Sequence, residues 1–358
     1  MRTPAHNDAA LDISAVRALV VDLEQPNPAI YWTDFLVSAG LGWTATLVGA
    51  TLAGAPALLC MLVAGFAFFR ATSFIHELTH VRHDTLPGFF LAWNVLVGVP
   101  LFMPSFLYVG VHLDHHRPST YGTAQDPDYL LFPAMSRGER VGFLLGGLLV
   151  PVGLVLRFLI ITPLSFIYPR LRARTLRQWS TLGINQRYQR KVLFGRPRRV
   201  ALSQELGCFA WGMALIMLLA SGLLPLYPVG YALAALGIAA VANQVRNLAA
   251  HRYGSANTPT DLRGQLLDSV TAAGLPWITE LWAPVGLRLH ALHHLLPWLP
   301  YHALPAAHRR LTASVASGDL YRQTFTPGLA AAAQTLWGSG SIRESRVPTQ
   351  SDASQSPA

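Results

Sequence analysis

Charge is scarce in this 358-residue chain. Charged residues make up 13% of it, about half the ~25% of an ordinary soluble domain. Such a shortage excludes a disordered chain, a coiled coil and an ordinary cytosolic enzyme. Lysine is nearly missing, since Lys191 is the single lysine among 27 basic residues. Cysteine is also rare. Cys60 and Cys208 both sit in apolar runs, which excludes a disulfide framework and a thiolate metal site. Acidic residues number 18, leaving a net charge of +9. That balance first suggests nucleic acid, but the charge is not spread over a soluble surface, so no nucleic-acid partner is expected. No repeat of fixed period is visible. Apolar residues are abundant instead: AVILMFWYC reach 52% and mean hydropathy is +0.34. The chain reads as a polytopic membrane protein.

Two runs carry no charge at all, residues 35–69 and residues 206–245. Each is too long for one span of ~20 residues and suits two. Ala53-Gly54-Ala55-Pro56 breaks the first run, and Pro225 and Pro228 break the second. Two helical hairpins are therefore expected, with spans at about 34–52, 57–76, 206–223 and 229–248. Two further apolar stretches, 85–113 and 141–168, contain prolines. The second also holds Arg157. Residues 170–199 carry ten basic residues and no acid, which the positive-inside rule places in the cytoplasm. Parity then makes both stretches interfacial or re-entrant, since a single crossing by 141–168 would split the histidine motifs between two faces. The expected fold is an all-α membrane protein with four transmembrane helices in two hairpins, interfacial or re-entrant helices, and a cytoplasmic histidine-rich metal cap. Residues 1–33 are polar, without the basic and apolar regions of a signal peptide, and read as a cytoplasmic segment. Residues 34–311 form the main domain and 312–337 a C-terminal extension. Residues 338–358, rich in Ser, Gln and Pro, read as a disordered tail.

Ten of thirteen histidines fall in four clusters. These are His76-Glu-Leu-Thr-His80 with His83, His112-Leu-Asp-His115-His116, Asn247-Leu-Ala-Ala-His251, and His290-Ala-Leu-His293-His294. Residues i, i+3 and i+4 share one helix face, so each box can aim its rings at one place. Neutral imidazole suits iron, zinc, copper or nickel. One ion cannot use nine or ten imidazoles, so at least two ions are implied. His6, His302 and His308 read as structural, His302 near enough to support a ligand from behind. Among the nearby carboxylates Glu77, Asp84, Asp114, Asp126 and Asp128, Asp114 and Asp126 are the best placed to accept a ring N–H from a metal-bound histidine.

These motifs, over roughly residues 31–311, resemble the membrane-bound fatty acid desaturases and their hydroxylase relatives. Tyr121-Gly-Thr-Ala-Gln-Asp-Pro-Asp128, Ala283-Pro-Val-Gly-Leu-Arg288 and His293-His294-Leu-Leu-Pro-Trp-Leu-Pro-Tyr301 are similar to bacterial, acyl-lipid members. The resemblance implies a di-iron centre at the cytoplasmic face of a bacterial inner membrane. Its ligands would be His76, His80, His112, His115, His116, His251, His290, His293 and His294. Asn247 would hold a metal-bound water, and His83 would be an optional ligand. O2 is the implied oxidant. The implied substrate is the acyl chain of a membrane lipid, and the implied reductant is a separate donor such as a ferredoxin or a cytochrome b5-like protein. The chain has neither a His-Pro-Gly-Gly haem motif nor plant-type ferredoxin cysteine spacing.

The chemistry expected first is introduction of a double bond into an acyl chain. The alternative is hydroxylation or ketolation of an acyl lipid, carotenoid or alkane. An unactivated C–H bond offers no acidic proton, so both need a metal–oxygen oxidant. Trp43, Phe66, Phe68, Phe69, Trp93 and Phe102 are candidates to line an acyl groove. The basic segment could dock an acidic donor or anchor on anionic lipid. His76-Glu77-Leu-Thr-His80 also fits the HExxH zinc-protease pattern, but that reading leaves both HxxHH boxes without a use. A transporter would place ionisable groups along the spans, and these spans are bare except at their inner ends.

Overall fold

The computed structural model describes residues 13–255, 257–316 and 319–338. The tail expected at 338–358 lies outside them except for Gly338, and so does His6. The first hairpin pairs Pro28–Gly49 with Gly54–His80. Asn27 starts it, its side chain accepting from the N–H groups of Ala29 and Ile30, with Pro28 in the first turn, where its missing N–H costs nothing. Gly42 lets the two helices close up, because a Cβ there would stand 2.6 Å from the Phe68 ring. The second expected hairpin does not form as a packed pair: a short turn joins Gly195–Ala220 to Leu226–Ala250, but Leu226–Ala250 packs on Gly54–His80, and Gly195–Ala220 packs on the turn Arg157–Ile161 of a helix that lies between them. Gly65 lets Gly54–His80 and Leu226–Ala250 close up, since a Cβ there would meet Ile238 at 2.6 Å. Small residues at helix contacts are how membrane helices gain packing when lipid offers no hydrophobic drive.

Among the described residues four helices are long and apolar enough to cross a membrane: Gly54–His80, Arg137–Ile167, Gly195–Ala220 and Leu226–Ala250. Three of these contain spans expected from sequence. The other two assignments change. Pro28–Gly49 has the length and packs along its hairpin partner but falls short of that composition. Residues 141–168, expected as an interfacial or re-entrant piece, belong to one 31-residue helix. Its prolines do not break it. A 3₁₀ turn at Gly147–Leu149 precedes Pro151, and a π turn at Arg157–Ile161 precedes Pro163, so altered turns absorb the missing N–H groups. This helix packs between Gly195–Ala220 and Leu226–Ala250, with Leu148 against Gly237 and Leu159 against Gly212. The stretch 85–113 yields a ten-residue apolar helix, Phe89–Gly98, too short to cross.

The helices Gly54–His80 and Leu226–Ala250 run on into a cap of short helices. Under the last histidine box, Leu289, Leu292, Leu295 and Leu296 share a core with Val16 and Val20 from the N-terminal side and Tyr321 from the C-terminal side. A two-residue parallel pairing, Thr271↔Phe325 and Ala272↔Thr326, ties the C-terminal stretch to this cap. Not all of the basic segment is free. Arg157 and Arg172 both pair with the fully buried Glu205, at 2.7 Å each, and the buried Arg190 donates to the carbonyls of Phe106, Ser180 and Val109.

Glu205 compensates two guanidinium groups, so its loss leaves buried charge unpaired. Glu205→Ala should destabilise the fold by roughly 3–5 kcal/mol, read as a lower thermal midpoint in detergent micelles.

Candidate metal centre

The long helix Gly54–His80 delivers His76 and His80 one turn apart at its last turns. His251 follows immediately after Leu226–Ala250. The two HxxHH boxes sit on one-turn to two-turn helices, His112–His115 and His290–Leu295. The structure brings nine of these histidines together in two groups. His76, His80, His112, His116 and His293 form one, and His115, His251, His290 and His294 form the other. Within each group one ring nitrogen per residue lies within 4.8 Å of all the others.

The partition corrects the expectation that each HxxHH box aims its three rings at one place. In both boxes the first and last histidines enter one group and the i+3 histidine enters the other. Helical geometry gives the reason. Residues i+3 and i+4 diverge by about 100° around the axis, so adjacent histidines cannot face the same point. Each box therefore bridges two sites.

Opposed ring nitrogens meet directly. His112 and His116 approach at 3.0 Å, His116 and His293 at 3.1 Å, His251 and His290 at 3.1 Å, and His290 and His294 at 3.2 Å, all through Nε2. Both nitrogens of His76 and the Nε2 atoms of His80 and His115 are buried without a hydrogen-bond partner among the described residues. Buried polar atoms are rarely left so. Nitrogen-rich groups of five and four with orphaned lone pairs fit two metal ions of the imidazole-binding class, the di-metal arrangement typical of this histidine-box architecture.

The outward nitrogens are held from behind. His115 Nδ1 lies 2.9 Å from Asp126, and His112 Nδ1 lies 2.6 Å from Asp128. A carboxylate only accepts, so both rings carry hydrogen on Nδ1 and turn the Nε2 lone pair inward. His251 Nδ1 meets the Tyr121 hydroxyl at 2.9 Å, and that hydroxyl in turn donates to Asp268 at 2.8 Å. Burial pushes the imidazolium pKa of His112, His116, His251, His290, His293 and His294 well below its ordinary value, so these rings are neutral and free to ligate. Burial acts most strongly on His115 as well, but the Asp126, Asp128 and Asp268 carboxylates together outweigh it and leave the value raised.

Other expectations are met differently. Asp126 supports a clustered ring. Asp114 does not, because its carboxylate is taken by Arg117, by the Tyr188 hydroxyl at 2.9 Å and by Lys191 at 3.3 Å. Asp128, Tyr121, Asp268 and Tyr108, whose hydroxyl lies 2.8 Å from His112 Nδ1, do that work instead. Asp128 had a signal, two residues past Asp126 in the same loop. Asp268 had none, since it stands in no motif and reaches the cluster through Tyr121, which lies far from it in sequence. His83 lies outside both groups and stacks on Phe90 at 3.7 Å. His302 accepts from the N–H of Asn27 at the start of the first hairpin. Asn247 is buried and lines the cavity beside His76.

That cavity has a volume of about 440 Å³. Its apolar wall comes from Ile75, Met103, Phe143, Val150, Leu154 and Leu236. None of the six aromatic residues proposed for a groove lines it. Phe68, Phe69 and Trp93 are buried in the hairpin core, with Trp43 and Phe66 packed against it, and Phe102 packs with Phe158. Sequence marks a residue as apolar, not the side of the helix it occupies. Glu77 is not a free base. Its Oε2 accepts from the Tyr31 hydroxyl at 2.5 Å and the Tyr301 N–H at 3.1 Å, while its Oε1 stands 3.6 Å from His76 Nδ1.

Long apolar helices, two imidazole groups and an apolar cavity against one of them define a membrane-embedded, histidine-cluster oxidoreductase class. The chain belongs to the fatty acid desaturase family, whose model matches residues 52–326. It is similar to the ceramide hydroxylase of Caulobacter vibrioides (strain NA1000 / CB15N), at 44% identity over 324 residues, covering 89% of this chain and 92% of the relative. The family and the oxidoreductase class stand as expected from sequence. The relative favours the hydroxylation alternative over the double-bond formation placed first.

Replacing His115 or His293 by alanine should abolish turnover while the protein stays in the membrane fraction. Asp126→Asn should cost about 10–100-fold in metal affinity or activity, measured as iron retained against a chelator. Glu77→Gln should keep substantial turnover, since no hydrolytic base is needed. Complete loss with metal retained would restore the protease reading.

Proposed function

We propose that this chain is a di-iron hydroxylase of a bacterial membrane lipid of the ceramide class. The observation that carries the reading is the 44% identity to a ceramide hydroxylase across nearly the whole of both chains. In the balanced reaction, O2 with two electrons and two protons converts a C–H bond to C–OH and releases one water. The two histidine groups would hold the iron, which would supply the O2 and C–H chemistry that no side chain can provide. The protein's own part is positional. His112 and His115 are oriented by Asp128 and Asp126, His251 is oriented by Tyr121, and the cavity wall presents the chain to the face carrying His76 and Asn247. A C–H bond held so that oxygen returns to the same carbon gives the alcohol. A neighbouring C–H presented instead gives the double bond, which keeps desaturation as the second reading.

The active site faces the cytoplasm of the inner membrane in this reading, and the electrons come from a separate ferredoxin or cytochrome b5-like donor. Arg170, Arg174, Arg177, Arg187 and Arg196 are exposed and suit either an acidic donor or anionic headgroups.

Lipid mass spectrometry of a host expressing the chain, with His293→Ala as control, tests the proposal. The expected product is a ceramide heavier by one oxygen that the control lacks. A loss of two hydrogens would establish the desaturase instead.

A further inference from the structure

The cavity beside the histidine groups contains a charge that the fold does not explain. Arg246 lies on Leu226–Ala250, one turn before His251, and lines the cavity with Asn243, Gln244 and Asn247. Its Nη2 donates to the Asn243 side chain at 2.9 Å. Its Nε is buried with no hydrogen-bond partner, and no carboxylate of the described residues lies within 4.0 Å of the guanidinium. The buried arginines of the described residues are satisfied: Arg140 has the carbonyls of Met135 and Pro133, Arg157 has Glu205, Arg190 has three carbonyls, and Arg288 has Glu280. Asp128 lines the same cavity, but its carboxylate is held by His112 and Tyr108 and makes no ion pair with Arg246. A half-buried guanidinium near the end of a membrane helix, facing a cavity without an ion-pair partner, is costly. It is more costly beside two groups of imidazoles that suit cations, because a fixed positive charge opposes metal binding there.

A purely alkyl segment passing this wall would cover the guanidinium with hydrocarbon and leave its Nε without an acceptor. An oxygen acceptor on the substrate would repair it. We propose that Arg246, held by Asn243, is the recognition site for an oxygen of the lipid's polar end, an amide carbonyl or a backbone hydroxyl. The carbon oxidised then lies close to that polar end, not in mid-chain or at the methyl end. The inference rests on the lipid-hydroxylase reading and adds to it the part of the substrate that is read. Asn243 is the positioning residue, since it fixes the guanidinium plane. Arg246 is the one that touches substrate.

The test uses the full-length, iron-loaded protein in detergent micelles. Displacement of a fluorescent ceramide is measured without reductant, so that no turnover occurs. The competitors are C16 ceramide, its analogue lacking both backbone hydroxyls, and hexadecane. Arg246→Ala should weaken ceramide binding about 10–100-fold, as expected for a lost hydrogen bond to a charged group. Binding of hexadecane should stay unchanged. Arg246→Lys should recover part of the loss. If the dehydroxylated analogue loses as much as ceramide does on Arg246→Ala, the carbonyl is the acceptor. If it binds weakly to the wild type and does not change, the hydroxyl is. In expressing cells the variant should also scatter the hydroxyl along the chain instead of leaving it at one carbon. Arg246→Gln serves where the alanine variant does not fold. Unchanged ceramide affinity and an unchanged product position in Arg246→Ala or Arg246→Gln, with iron retained, overturns the inference. A wild type that hydroxylates another lipid but not ceramide overturns the ceramide reading alone. The same variants assayed on that lipid then decide the role of Arg246.

Discussion

Nine imidazoles can share a buried interior only if each turns a lone pair toward one of two centres and is prevented from turning away. The whole cap follows from that constraint. Opposed Nε2 atoms at 3.0–3.2 Å would repel as neutral lone pairs, so the rings must be locked. Asp126, Asp128 and the Tyr121–Asp268 pair lock three of them through Nδ1. Packing holds others, because the last box lies on a leucine core to which residues from both ends of the chain contribute. The N- and C-terminal stretches therefore matter to the metal centre although they hold no ligand.

The long helices meet the other half of the constraint. A histidine at the end of a membrane helix is placed by the whole helix, and Gly54–His80 and Leu226–Ala250 are packed together through Gly65. Close packing of these two helices thus sets the spacing between His76 and His251. The long helix Arg137–Ile167 closes one side of the cavity, contributing Phe143, Val150 and Leu154. Its Arg157, bonded to Glu205, anchors it to Gly195–Ala220. One helix therefore connects the substrate wall to the basic surface at residues 170–199.

The family chemistry is common to desaturation and hydroxylation, so the metal centre does not choose between them. Both consume O2, two electrons and two protons, and they differ in which hydrogen is within reach next. That choice belongs to the cavity, where an apolar wall faces a polar one built from Asn243, Gln244, Arg246 and Asn247. A substrate held at its polar end is held more narrowly than an alkyl chain free to slide, because a hydrogen bond has direction and dispersion does not.

The sequence alone determined the helical membrane class and the nine clustered histidines. Both depend on local signals, namely the length of charge-free runs and the spacing of residues on one helix turn. It also marked Asp126 as a support, through its place in the loop after the second box. It did not determine the division of each box between two groups, nor that Asp128 and Asp268 would hold rings while Asp114 pairs with Arg117, Tyr188 and Lys191. It also missed the continuous helix Arg137–Ile167, because prolines read locally as breaks and only the surrounding helices allow the π and 3₁₀ turns that absorb them. The groove residues went the same way: an aromatic residue is apolar wherever it stands, and only the packing of five long helices decided which side chains meet the cavity. Spacing along one turn is fixed by the helix itself. What lies across from it is fixed by contacts beyond that turn, as between His116 and His293 or Tyr121 and His251, and only the tertiary structure brings those together.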